Sequence, residues 1–270
     1  ADKLPDLPLR DTWDALGTVK EDIAARTGLT VECVVNMGVH DSNAALVPYF
    51  AKGAEDFVVH DSGTWFVTMA PTDDARFTED ELGKEVFFNR SVYGGPVKTT
   101  IFRGGAEFEF YHESVLKGHE RPDGVESDVL GEIVDARRAF SLPTVSPGSG
   151  LFPDSVARLR GLEAVFEDAT HAWHTVDLGL AVQGYLAIVM AAGEHVKQVF
   201  IEGNVGRHNP VYRSVVSSLL PDAEVYYGSM GGAPFGAAIL GVATAENVRP
   251  EELGDRFDME LTPVPKLDLP

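Results

Sequence analysis

The chain has 270 residues, 44% of them hydrophobic and 24% charged, so it is long enough and apolar enough to enclose a large core. Its formal net charge of −20 disfavours nucleic acid as a partner, and any nucleotide site would be local, built from backbone N–H groups, helix N-termini and a metal ion. A single cysteine, Cys33, excludes an internal disulfide and fits a reducing, cytoplasmic compartment. We see no signal-like segment or apolar run of membrane-spanning length, so no membrane is expected as a partner.

The first fifty residues predict a short helix, a buried strand and a second helix. Residues 18–26 have a helical pattern that Gly28 ends, and the apolar run at residues 31–37 (VECVVNM) favours a buried strand. A helical pattern then starts at residue 42. Asp41 is therefore expected at a strand-to-helix junction.

Two interpretations of Asp41 remain open at this junction. Its carboxylate could cap the helix. Alternatively, it faces the crevice that forms at the carboxyl end of a strand, where it would accept a proton from an alcohol that attacks a phosphoryl group. His40 beside it would contact the hydroxyl groups of a sugar, or would simply be solvated.

A hairpin is predicted next, from strand-like runs at residues 57–60 and 65–69. The connecting residues 61–64, Asp-Ser-Gly-Thr, are either a plain turn or a phosphate-binding loop. In the second case, backbone N–H groups and a hydroxyl group would bind phosphate oxygens, because Gly63 allows close approach and Thr64 adds a donor.

A glycine pair, Gly104-Gly105, precedes the next helical pattern. The pair is either a simple break between elements or the N-terminus of a helix that contacts phosphate. Three glutamates of this segment are expected on a solvated helix face: Glu107, Glu109 and Glu113.

The last third of the chain alternates between helix and strand patterns. A strand at residues 198–201 leads into Gly203-Asn204, and Asn209 precedes a proline that suits the first position of a helix. The turn between this strand and this helix could hold a nucleoside. It matches neither a Walker A loop nor the GxGxxG fingerprint, so the pattern by itself is weak.

Five segments in a fixed order give these motifs a common meaning. They are GVHDSNAAL, DSGTWFVT, RGGAEFE, EGNVGRHNPVYRSVV and GAPFGAAILG. Over roughly residues 10 to 245, this succession resembles the C-terminal half of the FGGY carbohydrate kinases. The first two segments are most similar to those of the ketose kinases that act on rhamnulose or fuculose.

The resemblance implies an α/β chain with the actin-like, ribonuclease-H-like fold, in which helices flank a mixed sheet. Residues 1–50 would end an N-terminal sugar-binding domain, and residues 51–270 would form the C-terminal, ATP-side domain. Members of the family are nearly twice as long and begin with another phosphate loop. Most sugar contacts and the Mg²⁺-associated aspartate are therefore expected upstream, and the 270-residue chain alone is expected to be inactive.

The resemblance also implies a role for each motif. The reaction would be in-line transfer of the γ-phosphoryl group of ATP to a sugar, with Mg²⁺, and with Asp41 as general base and His40 as a sugar contact. The ATP-binding residues would be Ser62, Gly63, Thr64, Gly105, Gly203, Asn204 and Asn209. No metal ligand is assigned within this chain, and a homodimer is an open possibility.

One departure from the family pattern lies in the nucleoside turn, where Glu202-Gly203 replaces the family's Gly-Gly. A charge near the adenosine would alter nucleotide preference. Two other functions fit the same fold: a non-catalytic nucleotide- or sugar-binding module, and an ATPase or phosphatase with water as the acceptor.

Overall fold

The computed structural model describes residues 10–136, 139–161, 163–228 and 231–268, and the chain divides into two compact units. Unit 1 takes its described residues from Ala1–Ala54, Arg90–Gly95 and Gly232–Met259. Unit 2 takes them from Glu55–Asn89, Pro96–Gly231 and Glu260–Pro270. The predicted domain boundary after residue 50 stays a prediction. Unit 1, which contains Asp41, also includes two segments from later in the chain, Arg90–Gly95 and Gly232–Met259.

Strands and helices alternate along much of the chain, as an α/β fold requires. The strands are β1 Ala15–Thr18, β2 Val34–Asn36, β3 Phe57–Ser62, β4 Phe66–Pro71, β5 Val86–Arg90, β6 Pro96–Phe102, β7 Ala139–Leu142, β8 Arg158–Gly161, β9 Gln198–Glu202, β10 Glu224–Gly228 and β11 Leu261–Pro263. The α-helices are α1 Glu21–Thr27, α2 Asp41–Ala51, α3 Gly104–Tyr111, α4 Ser127–Ala136, α5 Ala169–Ala192, α6 Gly203–His208, α7 Pro210–Leu219 and α8 Gly232–Glu246. The remaining described helices are a π turn and short 3₁₀ segments: His112–Leu116, Glu79–Glu81, Glu163–Phe166 and Pro250–Arg256.

Unit 2 is built on a seven-stranded mixed sheet with the strand order β11-β10-β9-β3-β4-β6-β5. Strands β3, β9 and β10 are parallel, whereas β4 and β11 each run antiparallel to a neighbour. Strand β3 lies inside the sheet and is almost entirely buried, which accounts for its continuous apolar start, Phe-Val-Val. Because β3 and β9 are parallel, Asp61 and Glu202 lie opposite each other where both strands end.

The long helix α5 forms much of the core of unit 2. Its side chains Val176, Leu180, Ala187 and Ile188 are fully buried together with residues of the sheet and of α7. By length and composition α5 could cross a membrane, so the expectation that no segment reaches that length is wrong for this helix. Most of it is buried inside the unit, which explains its apolar composition.

In unit 1, one prediction from the sequence is wrong. The strand predicted as buried at residues 31–37 is only β2, paired antiparallel with β1, and its Val34 and Val35 are 45% and 38% exposed. Apolar residues become buried only where another layer covers them, and β1 is the sole strand that pairs with β2 within the described residues. The core of unit 1 lies instead between α2 and α8, around Val47 and Leu240.

Candidate functional site

The hairpin predicted as a phosphate loop connects β3 and β4 through Gly63, Thr64 and Trp65, with Ser62 opposite Phe66. Ser62 is fully buried. Its hydroxyl donates to the carbonyl oxygen of Glu202 at 2.5 Å and accepts from the N–H of Gly206 at 2.7 Å. The hydroxyl is therefore engaged within the protein, and Ser62 fixes the end of the hairpin against the turn that follows β9.

Gly203 begins that turn in a conformation and a space that only glycine fits. Its φ is 83°, in the left-handed region. A Cβ atom there would lie 2.5 Å from Oδ1 of Asp61 and 2.8 Å from the backbone nitrogen of Gly63. The backbone of the nucleoside turn thus lies directly against the backbone of the hairpin.

Gly105 brings a third segment to the same place. Its N–H donates to the carbonyl oxygen of Thr64 at 3.2 Å, and a Cβ atom would lie 2.6 Å from the carbonyl oxygen of Gly63. The first turn of α3 therefore packs against the hairpin with no space for a side chain. Three segments that are distant in sequence meet at Gly63 and Thr64.

A cavity of about 360 Å³ opens beside this meeting point, a size at the lower end of small-molecule sites. Its lining combines glycine turns with apolar and a few charged or polar side chains: Gly63, Thr64, Gly105, Ala106, Phe108, Glu109, Arg121, Asn204, Val205, His208 and Asn209. Five residues predicted from the sequence as ATP-binding line it, namely Gly63, Thr64, Gly105, Asn204 and Asn209. Ser62 and Gly203 support its walls, and Glu202, which is 6% exposed, is not among the described lining residues.

Asn209 caps α7, as the sequence predicts, and Pro210 follows at the first helical position. Its Oδ1 accepts from the N–H of Tyr212 at 2.9 Å, while its Nδ2 donates to Oδ1 of Asp177 at 2.7 Å. Both ends of the amide are thus engaged within the protein. Asn209 shapes the cavity wall through these two bonds.

Asp177 was not predicted from the sequence as part of this site. Burial raises the pKa of its carboxyl group to about 6, although nearby Arg121 and the hydrogen bond from Asn209 oppose that rise. The signal that could have identified it is an acidic residue in the middle of the apolar helix α5, because a buried carboxylate needs partners.

The prediction that Glu107 lies on a solvated helix face is wrong. This residue is 3% exposed, and its carboxylate accepts from the N–H of Thr144 and from Nε2 of Gln183, both at 2.8 Å. Burial raises the pKa of Glu107. Glu109 and Glu113 are exposed, as predicted. The helix α3 therefore turns one carboxylate inward to hold the loop that contains Thr144.

His40 and Asp41 begin α2 in unit 1. His40 is the N-cap residue, and its Nδ1 accepts from the N–H of Ser42 at 3.3 Å. Asp41 is the first residue of the helix rather than its cap, and its Oδ1 accepts from the same N–H at 2.7 Å. The side chains of His40 and Asp41 are 67% and 81% exposed, so the carboxylate is accessible to an external alcohol.

Within the described residues, no three His, Cys, Asp or Glu side chains come together as a metal site. The expectation that an upstream aspartate supplies a ligand for Mg²⁺ stays a prediction.

The family model of the C-terminal domain of the FGGY carbohydrate kinases matches residues 54–250. The chain belongs to the FGGY carbohydrate kinase family. Its mixed sheet flanked by helices is the actin-like, ribonuclease-H-like fold of that C-terminal domain. No curated protein matches the chain in sequence.

Solved structures of carbohydrate kinases are similar to this chain. A carbohydrate kinase from Novosphingobium aromaticivorans is 26% identical with a TM-score of 0.70, and the match covers 97% of this chain and 53% of that one. Xylulose kinase from Rhodospirillum rubrum is 16% identical with a TM-score of 0.67, and the match covers 96% of this chain and 52% of that one. Gluconate kinase from Lactobacillus acidophilus is 12% identical with a TM-score of 0.71, and the match covers 95% of this chain and 52% of that one. The last two show the fold alone.

The chain thus spans about half the length of the kinases that it resembles, 53% in the first of these comparisons. The sugars that these kinases are named for differ, and the narrower resemblance to rhamnulose and fuculose kinases stays a prediction.

Proposed function

We propose that this chain binds ATP and, with a sugar-binding domain of the kind expected upstream, transfers the γ-phosphoryl group to a hydroxyl of a ketose or related sugar. The observation that carries the proposal is the meeting of three glycine turns beside one cavity. Gly63, Gly105 and Gly203 come from three segments that are far apart in the sequence, and their backbones lie in direct contact.

Backbone groups would do most of the phosphate binding. The turn at Gly63 and Thr64 offers N–H groups and a hydroxyl, and the N-terminus of α3 offers further N–H donors with a favourable dipole. Such a site needs no basic patch, which is consistent with a chain of net charge −20. The apolar part of the cavity, formed by Ala106, Phe108 and Val205, suits a nucleoside.

Asp41 would act as the general base of the transfer. A sugar hydroxyl oxygen forms a bond to the γ-phosphorus, the bond between that phosphorus and the β–γ bridging oxygen breaks, and ADP leaves. The hydroxyl proton passes to the Asp41 carboxylate. Positioning and charge stabilisation supply most of the acceleration, and the base adds roughly 10²–10⁴-fold. Support for this role comes from the exposed carboxylate at the start of α2 and from the neighbouring His40, which would contact the sugar.

Several finer features belong to the same proposal. Mg²⁺ would accompany ATP, with a ligand from the upstream domain, and it would neutralise phosphate charge. The sugar would be a rhamnulose- or fuculose-like ketose, because the first two family segments resemble those kinases. The protein would work in the cytoplasm, either as a monomer or as a homodimer.

Two measurements test the proposal. Isothermal titration calorimetry with the chain should detect binding of ADP, whereas absence of binding at millimolar ADP would refute the nucleotide site. ATP consumption by a longer form that includes the upstream domain should then depend on a sugar from a ketose panel. Hydrolysis without any sugar would indicate an ATPase, and ADP binding with no turnover would indicate a non-catalytic module.

A further inference from the structure

One wall of the cavity is a stacked guanidinium group. The Cζ atom of Arg121 lies 4.9 Å from the ring centroid of Trp173 and 5.9 Å from that of Phe108. Trp173 is 5% exposed, so the guanidinium covers one side of a buried indole while Arg121 lines the cavity. The side chain of Arg121 is 34% exposed, which leaves part of it open to a ligand.

Two contacts hold this guanidinium in place. The indole Nε1 of Trp173 donates to the carbonyl oxygen of His119 at 3.4 Å, which fixes the loop that carries Arg121. Nη2 of Arg121 lies 3.8 Å from Oδ2 of Asp177, whose other oxygen accepts from Asn209. Asp177 therefore connects Arg121 with Asn209, the N-cap residue of α7, and both of these residues line the cavity.

We propose that Arg121 is a nucleobase-recognition residue, on which the base of the bound nucleotide stacks from the side of the cavity. This inference rests on the proposed function and names the group that reads the base. A guanidinium is planar and weakly hydrated, so it stacks well on aromatic faces, and here it already lies over the ring of Trp173. Phe108 and Val205 supply the apolar surroundings that a base requires.

Stacking predicts a particular selectivity. It uses the face of the base and not its edge, so it tolerates different bases but favours the larger ring system. ADP and GDP should bind within about threefold of each other, and CDP should bind several-fold more weakly. Inorganic tripolyphosphate, which has no base, should depend on Arg121 much less than ADP does.

The test is calorimetric titration of the chain with ADP, CDP and tripolyphosphate. Arg121→Met should weaken ADP binding about tenfold and tripolyphosphate binding much less, because tripolyphosphate loses only the attraction of one charge and has no base to stack. Arg121→Lys should lie between the wild type and Arg121→Met, since an ammonium group keeps the charge but not the plane. Arg160→Met is the matched control: Arg160 is exposed on β8 and does not line the cavity, so the variant should bind like the wild type.

Arg121→Met also leaves Asp177 buried without its cation, so thermal unfolding must be measured in parallel. If that variant does not fold, Arg121→Met/Asp177→Asn is compared with Asp177→Asn alone, and the same tenfold loss of ADP affinity is expected. Unchanged ADP affinity, or an equal loss of ADP and tripolyphosphate affinity, would overturn the role of Arg121 while leaving the nucleotide site intact. A wild type that binds none of the three ligands would overturn the nucleotide site and the role of Arg121 together.

Discussion

The backbone of Gly236 in α8 lies so close to Ala44 in α2 that a methyl group on Gly236 would overlap the carbonyl oxygen of Ala44. This contact belongs to the last family segment, GAPFGAAILG, and it lies within unit 1. Gly236 therefore serves helix packing, because it lets α8 lie directly against α2, the helix that begins with Asp41.

Gly236→Ala is expected to destabilise the chain by about 1–3 kcal/mol, because the two helices must move apart. Gly241→Ala in the same helix is the matched control, since nothing lies within 4 Å of a Cβ atom there. That control should be neutral or more stable by up to about 1 kcal/mol, as expected for glycine replaced by alanine in a helix. Urea unfolding of both variants gives the comparison, and equal stabilities would contradict the packing role.

Gly105→Ala is expected to affect ligand binding more than folding. A Cβ atom would lie 2.8 Å from Cα of Thr64, so the hairpin must shift away from α3. We expect ADP affinity to fall at least about tenfold, because backbone donors lose their alignment. Gly124→Ala, with open space around its Cβ position, should bind ADP like the wild type. Wild-type affinity in Gly105→Ala would argue against phosphate binding at this turn.

Ser62→Ala tests the bond between the hairpin and the nucleoside turn. The change removes two buried hydrogen bonds, to the carbonyl oxygen of Glu202 and from the N–H of Gly206, at an expected cost of about 1–3 kcal/mol. ADP binding should weaken as well. Ser114→Ala, at an exposed helix position, should stay within about 0.5 kcal/mol of the wild type. Chemical denaturation measures both variants, and a neutral Ser62→Ala would rule out a positioning role.

Asp177 should make stability depend on pH. Burial raises the pKa of its carboxyl group from 3.8 to about 6, so the folded chain holds this proton more tightly than the unfolded chain. The contribution of Asp177 to stability therefore falls as the pH rises from about 4 to about 6, by up to about 3 kcal/mol.

Asp177→Asn isolates that effect, because asparagine does not titrate. Relative to the wild type, the variant should gain stability between pH 4 and pH 7, measured as the difference in the free energy of unfolding. The comparison is needed because burial lowers the pKa of His60 to about 3, and that shift acts in the opposite direction, with stability lost as the pH falls below 6.5. A difference that does not change with pH would contradict the assignment to Asp177.

Asp41→Asn tests the general base in a longer, active form of the kinase. The variant should lose about 10²–10⁴-fold in kcat with little change in the binding of ADP. Because the side chain is 81% exposed, its neutralisation should leave the unfolding free energy nearly unchanged. A kcat within a few-fold of the wild type would show that another group takes the proton.

The order of the family segments led to five of the residues that the structure brings together at the cavity, although their binding of ATP stays a prediction. Only the cap at Asn209 was predictable from local sequence alone, because helix capping depends on neighbouring residues. The shared position of Asp61 and Glu202 at the ends of two parallel strands became visible only in the structure, because it depends on which strands pair.

Features that depend on burial were not predictable in the same way. Arg121 and Asp177 are 56 residues apart in the sequence and interact only because the fold brings them together. Glu107 was expected in solvent, yet it turns inward to hydrogen-bond partners that belong to other segments. The apolar run that contains β2 was expected to be buried, but hydrophobicity shows only that a segment can be covered, not that a covering layer is present.

The hydrogen bond between Ser62 and Gly206 also has a kinetic consequence. The two residues are 144 positions apart, so the hairpin and the nucleoside turn can meet only after a very long loop has closed. The cavity should accordingly be among the last parts of unit 2 to form during refolding. Binding of a nucleotide added during refolding would therefore show when the hairpin and the nucleoside turn have met. The bound nucleotide would then slow unfolding, because it stabilises the folded chain.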